Sequence, residues 1–204
     1  MIKPDLITIW PRAFDYPPFR NFVVKNRDSF NRVIISFTHN SVQYDFRKWL
    51  RENHPDWTFI DAGEGHADWY GKAINIALNE VTSPWVLFIE QDFILENGNL
   101  QRLLRKTVDK NVAATFFVDV KRDHLAFYLT KKELIDKTSR KFMPSDGMDC
   151  FGLFTREMRI LLKDLSIITL NKTNNPRYKH LSGLTHNYNL ILQDRSELIT
   201  GREE

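Results

Sequence analysis

Trp85-Val-Leu-Phe-Ile-Glu90-Gln-Asp92 decides the fold. Apolar and aromatic residues run without a polar interruption and then stop on two acids. A run with no alternation is a strand covered on both faces, as in a parallel sheet between two layers of helices. Three earlier runs have the same character: Leu6–Trp10, Val33–Phe37 and Trp57–Ile60. The segments between them repeat at helical spacing. Phe19, Phe22 and Val23 follow Pro17-Pro18, a favoured helix start. Val42, Phe46, Trp49 and Leu50 form a second such stripe, and Tyr70, Ala73, Ile74, Ala77 and Leu78 a third. Strand and helix alternate, which predicts an α/β, Rossmann-like domain with a mostly parallel central sheet flanked by helices.

Beyond Asp92 the pattern is mixed. Leu100, Leu103, Leu104 and Val108 predict a helix, and Val112–Val118 and His124–Leu129 two strands joined by the polar Asp119–Asp123 turn. Thr130-Lys-Lys-Glu133 has the spacing of a capping box that opens a short helix. Phe151, Phe154, Met158, Leu161, Leu162 and Leu165 make a longer apolar stripe, with Asp149 placed to cap it. Asn171–Arg177 is polar and holds Pro176, so it reads as a loop.

Composition narrows the function classes. The chain has 204 residues and a mass of 24.2 kDa, which suits one domain, residues 1–204, and is short for two. Hydrophobic residues at 42% and charged ones at 27% exclude disorder and fibrous repeats. Lys and Arg number 29 against 26 Asp and Glu, and a net charge of +3 gives little drive towards nucleic acid. Cys150 stands alone, which rules out an internal disulfide framework and fits a reducing compartment. No apolar run reaches membrane-spanning length and the first residues lack a signal peptide's apolar stretch. The expected location is the cytoplasm, with a peripheral membrane position as the alternative.

In an open parallel sheet, ligands lie outside the carboxyl ends of the strands. The four runs are followed there by Pro11-Arg12, by Thr38-His39-Asn40, by Asp61-Ala-Gly63-Glu-Gly65-His66 and by Glu90-Gln91-Asp92. Two carboxylates two positions apart can hold a hard divalent cation that also takes diphosphate oxygens. The plain alternative is that Glu90 pairs with a basic residue and Asp92 caps the next turn. Gly63-Glu-Gly65-His-Ala-Asp68 is a poor dinucleotide fingerprint: an acid fills the third glycine position, and the unit follows the third strand. Asp68 is expected instead to cap a helix starting at Trp69, while Lys72 and Asn75 on that helix's first turns face the ligand edge.

The stretch Asp68-Trp-Tyr-Gly-Lys-Ala-Ile-Asn75-Ile-Ala-Leu-Asn-Glu-Val-Thr-Ser-Pro-Trp-Val-Leu-Phe-Ile-Glu90-Gln-Asp92 resembles the core of GT-A-type, family 2-like glycosyltransferases. In that family a helix bearing Gly, Ala and Asn precedes a hydrophobic strand ending in D-x-D. Here the motif is E-x-D, which keeps the final Asp and lengthens the first acid. The resemblance covers about residues 5–95 and follows the rest only in the order of features. It implies a nucleotide-diphosphate sugar donor bound by the half at about 1–95 and an acceptor half at about 96–193, while the charged residues 194–204 read as a tail. It further implies a divalent metal, Mn²⁺ or Mg²⁺, on Asp92 and Glu90, with Pro11, Arg12, Asp61, Lys72, Asn75 and Gln91 around the nucleotide. Inverting members use a carboxylate near the start of a later helix as general base. Asp146 and Asp149 both occupy that place, and Asp149 fits better because the helix would fix it and keep it ionised. Plain capping is its other role. Many members add a late histidine to the metal. His180 and His186 are both candidates, and the neighbours Asn187 and Tyr188 favour His186.

The activity these features predict is a metal-dependent hexosyl transfer from a nucleotide-diphosphate donor to a glycan or other hydroxyl acceptor, with inversion. A sugar-phosphate nucleotidyltransferase is the nearest alternative, although Trp10-Pro-Arg-Ala-Phe-Asp15 lacks the glycine-rich basic loop those enzymes carry. A nucleotide- or sugar-binding module without turnover is another. Arg102, Arg105, Lys106 and Lys110 read as the solvated side of a helix, Lys121-Arg122 as part of a turn, and Cys150 has no histidine at a nucleophile's spacing. P-loop, nucleophile-elbow and cysteine zinc patterns are absent from the sequence.

Overall fold

The apolar runs form strands because they are rich in β-branched and aromatic residues and show no polar alternation, and the stripes between them form helices that cover those strands. The computed structural model describes residues 2–10, 17–38, 44–62, 67–90, 93–95, 98–117, 127–142, 152–170 and 178–180. The first part comprises β1 (Asp5–Trp10), α1 (Pro17–Lys25), β2 (Val33–Phe37), α2 (Tyr44–Asn53), β3 (Thr58–Asp61), α3 (Ala67–Asn79) and β4 (Trp85–Ile89). Then come β5 (Phe93–Leu95), α4 (Asn99–Asp109), β6 (Ala114–Phe117), β7 (Phe127–Lys131), α5 (Lys132–Asp136), α6 (Gly152–Leu161), β8 (Ile167–Leu170) and β9 (Tyr178–His180).

Seven strands form one sheet in the order β3-β2-β1-β4-β7-β6-β8. β1, β2, β3 and β4 are mutually parallel, with Trp10 opposite Phe37, Phe37 opposite Asp61, and Ile7 opposite Phe88. β7 runs against both of its neighbours, and β8 is parallel to β6. The result is the mostly parallel α/β sheet that the apolar runs predict. β5 and β9 pair separately as a short antiparallel ladder.

Helices cover both faces. α1, α2 and α4 bring Phe19, Phe22, Val23, Leu50, Leu100, Leu103 and Leu104 against one side, where they meet Leu6, Trp10 and Ile35. α3, α5 and α6 bring Ala73, Ile74, Leu134, Ile135, Phe154 and Met158 against the other. The first side follows from handedness, since β1, β2 and β3 step outward through right-handed crossovers; the return from β3 to β4 puts α3 on the opposite face.

At the end remote from the carboxyl edge, Asp5 is fully buried and ties β1 to the entry of β4. Its carboxylate accepts the Thr82 and Ser83 amides at 2.6 and 2.8 Å and the Asn31 side-chain amide at 2.8 Å. A buried carboxylate is tolerable only with such a set of donors.

The structure departs from sequence expectation at several points. Thr130 does not cap α5: it lies inside β7, fully buried, and its hydroxyl donates to the Ala113 carbonyl at 3.1 Å. The Lys132 amide that a cap would serve donates instead to the Pro84 carbonyl, so backbone from the entry of β4 does the capping. Asp68 lies within the first turn of α3, which begins at Ala67. On α4 it is Thr107 that is buried, its hydroxyl donating to the Leu103 carbonyl at 2.8 Å, while Val108 is exposed. α6 ends at Leu161, which leaves Leu165 outside the helix and exposed. β8 is a strand within a stretch that continues the α6 apolar run, and its alternate burial shows it to be covered on one face.

Candidate active site

Strand direction decides what meets at the carboxyl edge. β1, β2, β3 and β4 end there on Trp10, Phe37, Asp61 and Ile89. The strand order reverses between β1 and β4, which are neighbours although two strands and three α-helices separate them in the chain's course. Such a reversal opens a crevice at the carboxyl ends. Glu90 follows β4 directly and is half-buried, and its carbonyl accepts the Phe93 amide at 3.0 Å. Pro11 and Arg12, which follow β1, and Gln91 and Asp92, which lie between Glu90 and Phe93, are outside the described residues.

The β5–β9 ladder brings a late segment to this point. Phe93 pairs with His180, Ile94 with Lys179 and Leu95 with Tyr178. The residue next to Asp92 therefore has His180 as its cross-strand partner, and paired Cα atoms of an antiparallel ladder lie about 4.5–5.5 Å apart. Sequence spacing alone left His180 and His186 open; His186 is outside the described residues.

The antiparallel β7 adds another segment. β6 ends and β7 begins at the carboxyl edge, so the residues joining Phe117 to Phe127 leave and return there. α6 leads by a short connection into β8, which is parallel to β6, so its first residue, Gly152, is also at that edge. Asp146 and Asp149 precede it outside the described residues.

Asp61 is held by two arginines. Arg47 donates to its Oδ1 at 2.7 Å and Arg51 to its Oδ2 at 3.0 Å. The two arginines are four apart on α2 and so share one helix face. Arg47 is buried, with its guanidinium 4.7 Å from the centre of the Phe37 ring, and Arg51 lies over Phe59. Burial pulls the Arg47 pKa down from its usual value; the Asp61 carboxylate opposes this, and the neighbouring Arg51 charge adds to the lowering. The end of β3 thus carries one carboxylate and two guanidiniums. Sequence reading missed both arginines, whose only signal was their spacing beside an apolar stripe.

Lys72 is exposed on α3. Asn75, one turn on, donates its side-chain amide to the Arg140 carbonyl at 3.0 Å. Beside it the helix and the Arg140–Phe142 segment nearly touch: a Cβ on Gly71 would stand 2.0 Å from the Phe142 carbonyl oxygen. Arg140 adopts a left-handed backbone, φ 52°, and its guanidinium is paired with Asp136.

Among the described residues no three of His, Cys, Asp and Glu converge, and no helix is long and apolar enough to cross a membrane. Of the residues expected to hold a metal, Glu90 is described, with His180 described in its backbone. Two carboxylates two positions apart and an imidazole are a donor set suited to Mn²⁺ or Mg²⁺.

Solved structures with this architecture are numerous. Mannosyltransferase PcManGT from Pyrobaculum calidifontis, in complex with GDP-Man and Mn²⁺, matches with a TM-score of 0.57 over 84% of this chain and 56% of its own, at 17% identity. TarS from S. aureus matches with a TM-score of 0.62 over 94% of this chain and 39% of its own, at 12% identity. The fold is GT-A-like. Glucosyl-3-phosphoglycerate synthase from Mycobacterium tuberculosis, in complex with Mn²⁺, UDP and glucosyl-3-phosphoglycerate, shares this GT-A-like fold with a TM-score of 0.56 over 83% of this chain and 70% of its own, at 11% identity. The present chain spans 39–56% of the length of the first two. No protein-family model and no curated protein sequence matches the chain.

Proposed function

We propose that this GT-A-like chain is a metal-dependent glycosyltransferase that moves a hexosyl group from a nucleotide-diphosphate donor to an acceptor hydroxyl with inversion. The observation that carries the reading is the crevice between β1 and β4, with Glu90 at its β4 side and His180 registered on Phe93. The nucleotide sugars and Mn²⁺ named for two of the structural neighbours support it.

In this reading Glu90, Asp92 and a late histidine hold the metal, which when bound offsets negative charge on the donor diphosphate. His180 is the nearer candidate by register, and His186 remains the alternative. Pro11, Arg12, Gln91 and Lys72 line the donor. Asp61 contributes by orienting Arg47 and Arg51, and Asn75 by fixing the chain beside α3. Asp149 takes the proton of the acceptor hydroxyl. The hydroxyl oxygen bonds to the anomeric carbon from the face opposite the diphosphate, the carbon–oxygen bond to the diphosphate breaks, and the electron pair leaves with the nucleotide diphosphate.

Calorimetric titration with UDP, GDP, CDP and dTDP, each with and without Mn²⁺, tests this. Metal-dependent binding of one nucleotide that Asp92→Ala abolishes is the expected result. A folded protein that binds none of the four would remove the transferase reading. Asp149→Asn should end transfer and leave nucleotide binding intact; full activity in that variant would remove the base.

A further inference from the structure

The two helical layers differ in charge. Residues 17–29 and 98–110, which form α1, α4 and the turns beside them, hold seven Lys and Arg against two acids, Asp28 and Asp109. Their excess of five is larger than the +3 of the whole chain. The helices of the opposite layer, α3, α5 and α6, hold four charges of each sign. On other helices the cations are neutralised: Arg47 and Arg51 by Asp61, Lys48 by Glu52 and Lys132 by Asp136. No ion pair among the described residues takes up Lys25, Arg102, Arg105, Lys106 or Lys110, and all five are exposed.

These charges share one surface. Gln101, at the start of α4, donates to Asn26 Oδ1 at 2.9 Å and to Ser29 Oγ at 3.0 Å, which lays α4 against the end of α1. Lys25 and Arg102 are the chain neighbours of that bonded pair. Arg105 and Lys106 stand three and four places after Arg102, so the three share the outer face of α4, opposite the buried Leu100, Leu103, Leu104 and Thr107. Lys110 caps the helix, about 12 Å along its axis from Arg102 at the α-helical rise. Apolar side chains stand among the cations: Val24 is 46% exposed next to Lys25, and Val108 is 47% exposed between Lys106 and Lys110. On the α2 side Arg20 lies over the exposed Trp49 ring at 4.9 Å, which carries the same mixture across the layer.

A bilayer interface takes both kinds of side chain, cations at its phosphates and apolar groups at the headgroup boundary. A nucleic-acid backbone offers the phosphates and nothing for the two valines. Each of the three helices also buries its apolar side on the sheet, so none projects to enter a groove. We propose that the face formed by α1 and α4 docks on an anionic lipid surface, with Lys25, Arg102, Arg105, Lys106 and Lys110 at the headgroups and Val24 and Val108 among them. Docking by this face requires nothing of the nucleotide site, and it stands whether or not the chain transfers a sugar.

Co-sedimentation of the whole chain with vesicles of phosphatidylcholine alone, and of phosphatidylcholine mixed with phosphatidylserine, tests this. The mixed vesicles should bind about tenfold or more tightly than the neutral ones, and added salt should release the protein. Arg105→Gln combined with Lys106→Gln should weaken that binding about tenfold. Lys137→Gln combined with Lys163→Gln, exposed cations just beyond α5 and α6, should change it by less than about twofold. Val24→Ser combined with Val108→Ser should weaken it about threefold, and a mixed-sequence DNA duplex should not displace the protein from the vesicles. No binding by protein shown to be folded by circular dichroism, or equal binding of the two vesicle types, would overturn the proposal. So would indifference to the α4 pair or to the valine pair, an equal loss in the α5 and α6 control, or displacement by the duplex.

Discussion

His180 and Phe93 face each other across the β5–β9 ladder, and the Phe93 amide is bonded to the Glu90 carbonyl. The ladder therefore fixes a late histidine beside the E-x-D turn through backbone alone. His180→Ala should weaken Mn²⁺-dependent nucleotide binding about tenfold, in the range that loss of one metal-site residue brings. His186→Ala should leave it within about twofold by the same measure. Calorimetry with manganese held constant distinguishes the two, and the reverse ranking would assign the ligand to His186.

Gly71→Ala tests the contact between α3 and Phe142. In an exposed helix interior, alanine is favoured over glycine by about 1 kcal/mol. Here the new Cβ would meet a backbone oxygen at 2.0 Å, which no rotamer change relieves. The sign should reverse, with a loss of about 1–3 kcal/mol in urea unfolding.

Asp61→Asn separates a positioning role from a simple nucleotide contact. Arg47 is buried and keeps Asp61 as its counter-charge at 2.7 Å. Removing that charge should lower stability by about 1–3 kcal/mol without any ligand present. Unchanged unfolding in the free protein would mean that Asp61 does not hold the arginines.

Asp5→Ala should be the most damaging of these substitutions. It leaves the Thr82 and Ser83 amides without their acceptor at a buried site and removes one of the two acceptors of the Asn31 side-chain amide. The expected loss is about 3–5 kcal/mol, read by the denaturation midpoint, with Asp5→Asn intermediate.

Asp136 predicts part of the acid response. Burial alone would raise its pKa, but hydrogen bonds from Lys132 and Arg140, together with their charges, outweigh that and hold it below its usual value. A depressed carboxylate stabilises the fold above its unfolded pKa, near 3.9, and that contribution is lost as pH falls through the lower folded value. Because the pair is partly exposed, the amount is about 0.2–1 kcal/mol. Asp136→Asn should therefore be less stable than the parent at pH 6, and the gap should close as pH falls below the unfolded value.

The half of the chain before Asp92 was legible because β1 to β4 are dominated by apolar residues without alternation and α1 to α3 carry apolar stripes at helical spacing. Beyond it, each missed element has a tertiary cause. β5 and β9 are three residues each, too short for periodicity to register, and exist by pairing with one another. Thr130 carried a cap signal, yet its neighbour's amide found a carbonyl from another part of the chain. At the site, the acids following the strands stood out because strand ends are where ligands gather. Arg47 and Arg51 did not, since only the fold brings them to Asp61.

The β5–β9 ladder also sets an order on biosynthesis. Strands β1 to β4 can pair as soon as the first ninety or so residues have left the ribosome, a span set by β4 ending at Ile89. β5 must wait until β9 has been made, because its partner lies near the other end of the chain. A nascent chain would thus hold a nearly formed sheet whose E-x-D turn is unbraced, and closing that long loop is an entropic step of its own. Chains terminated before Tyr178 would keep the sheet and lose the brace.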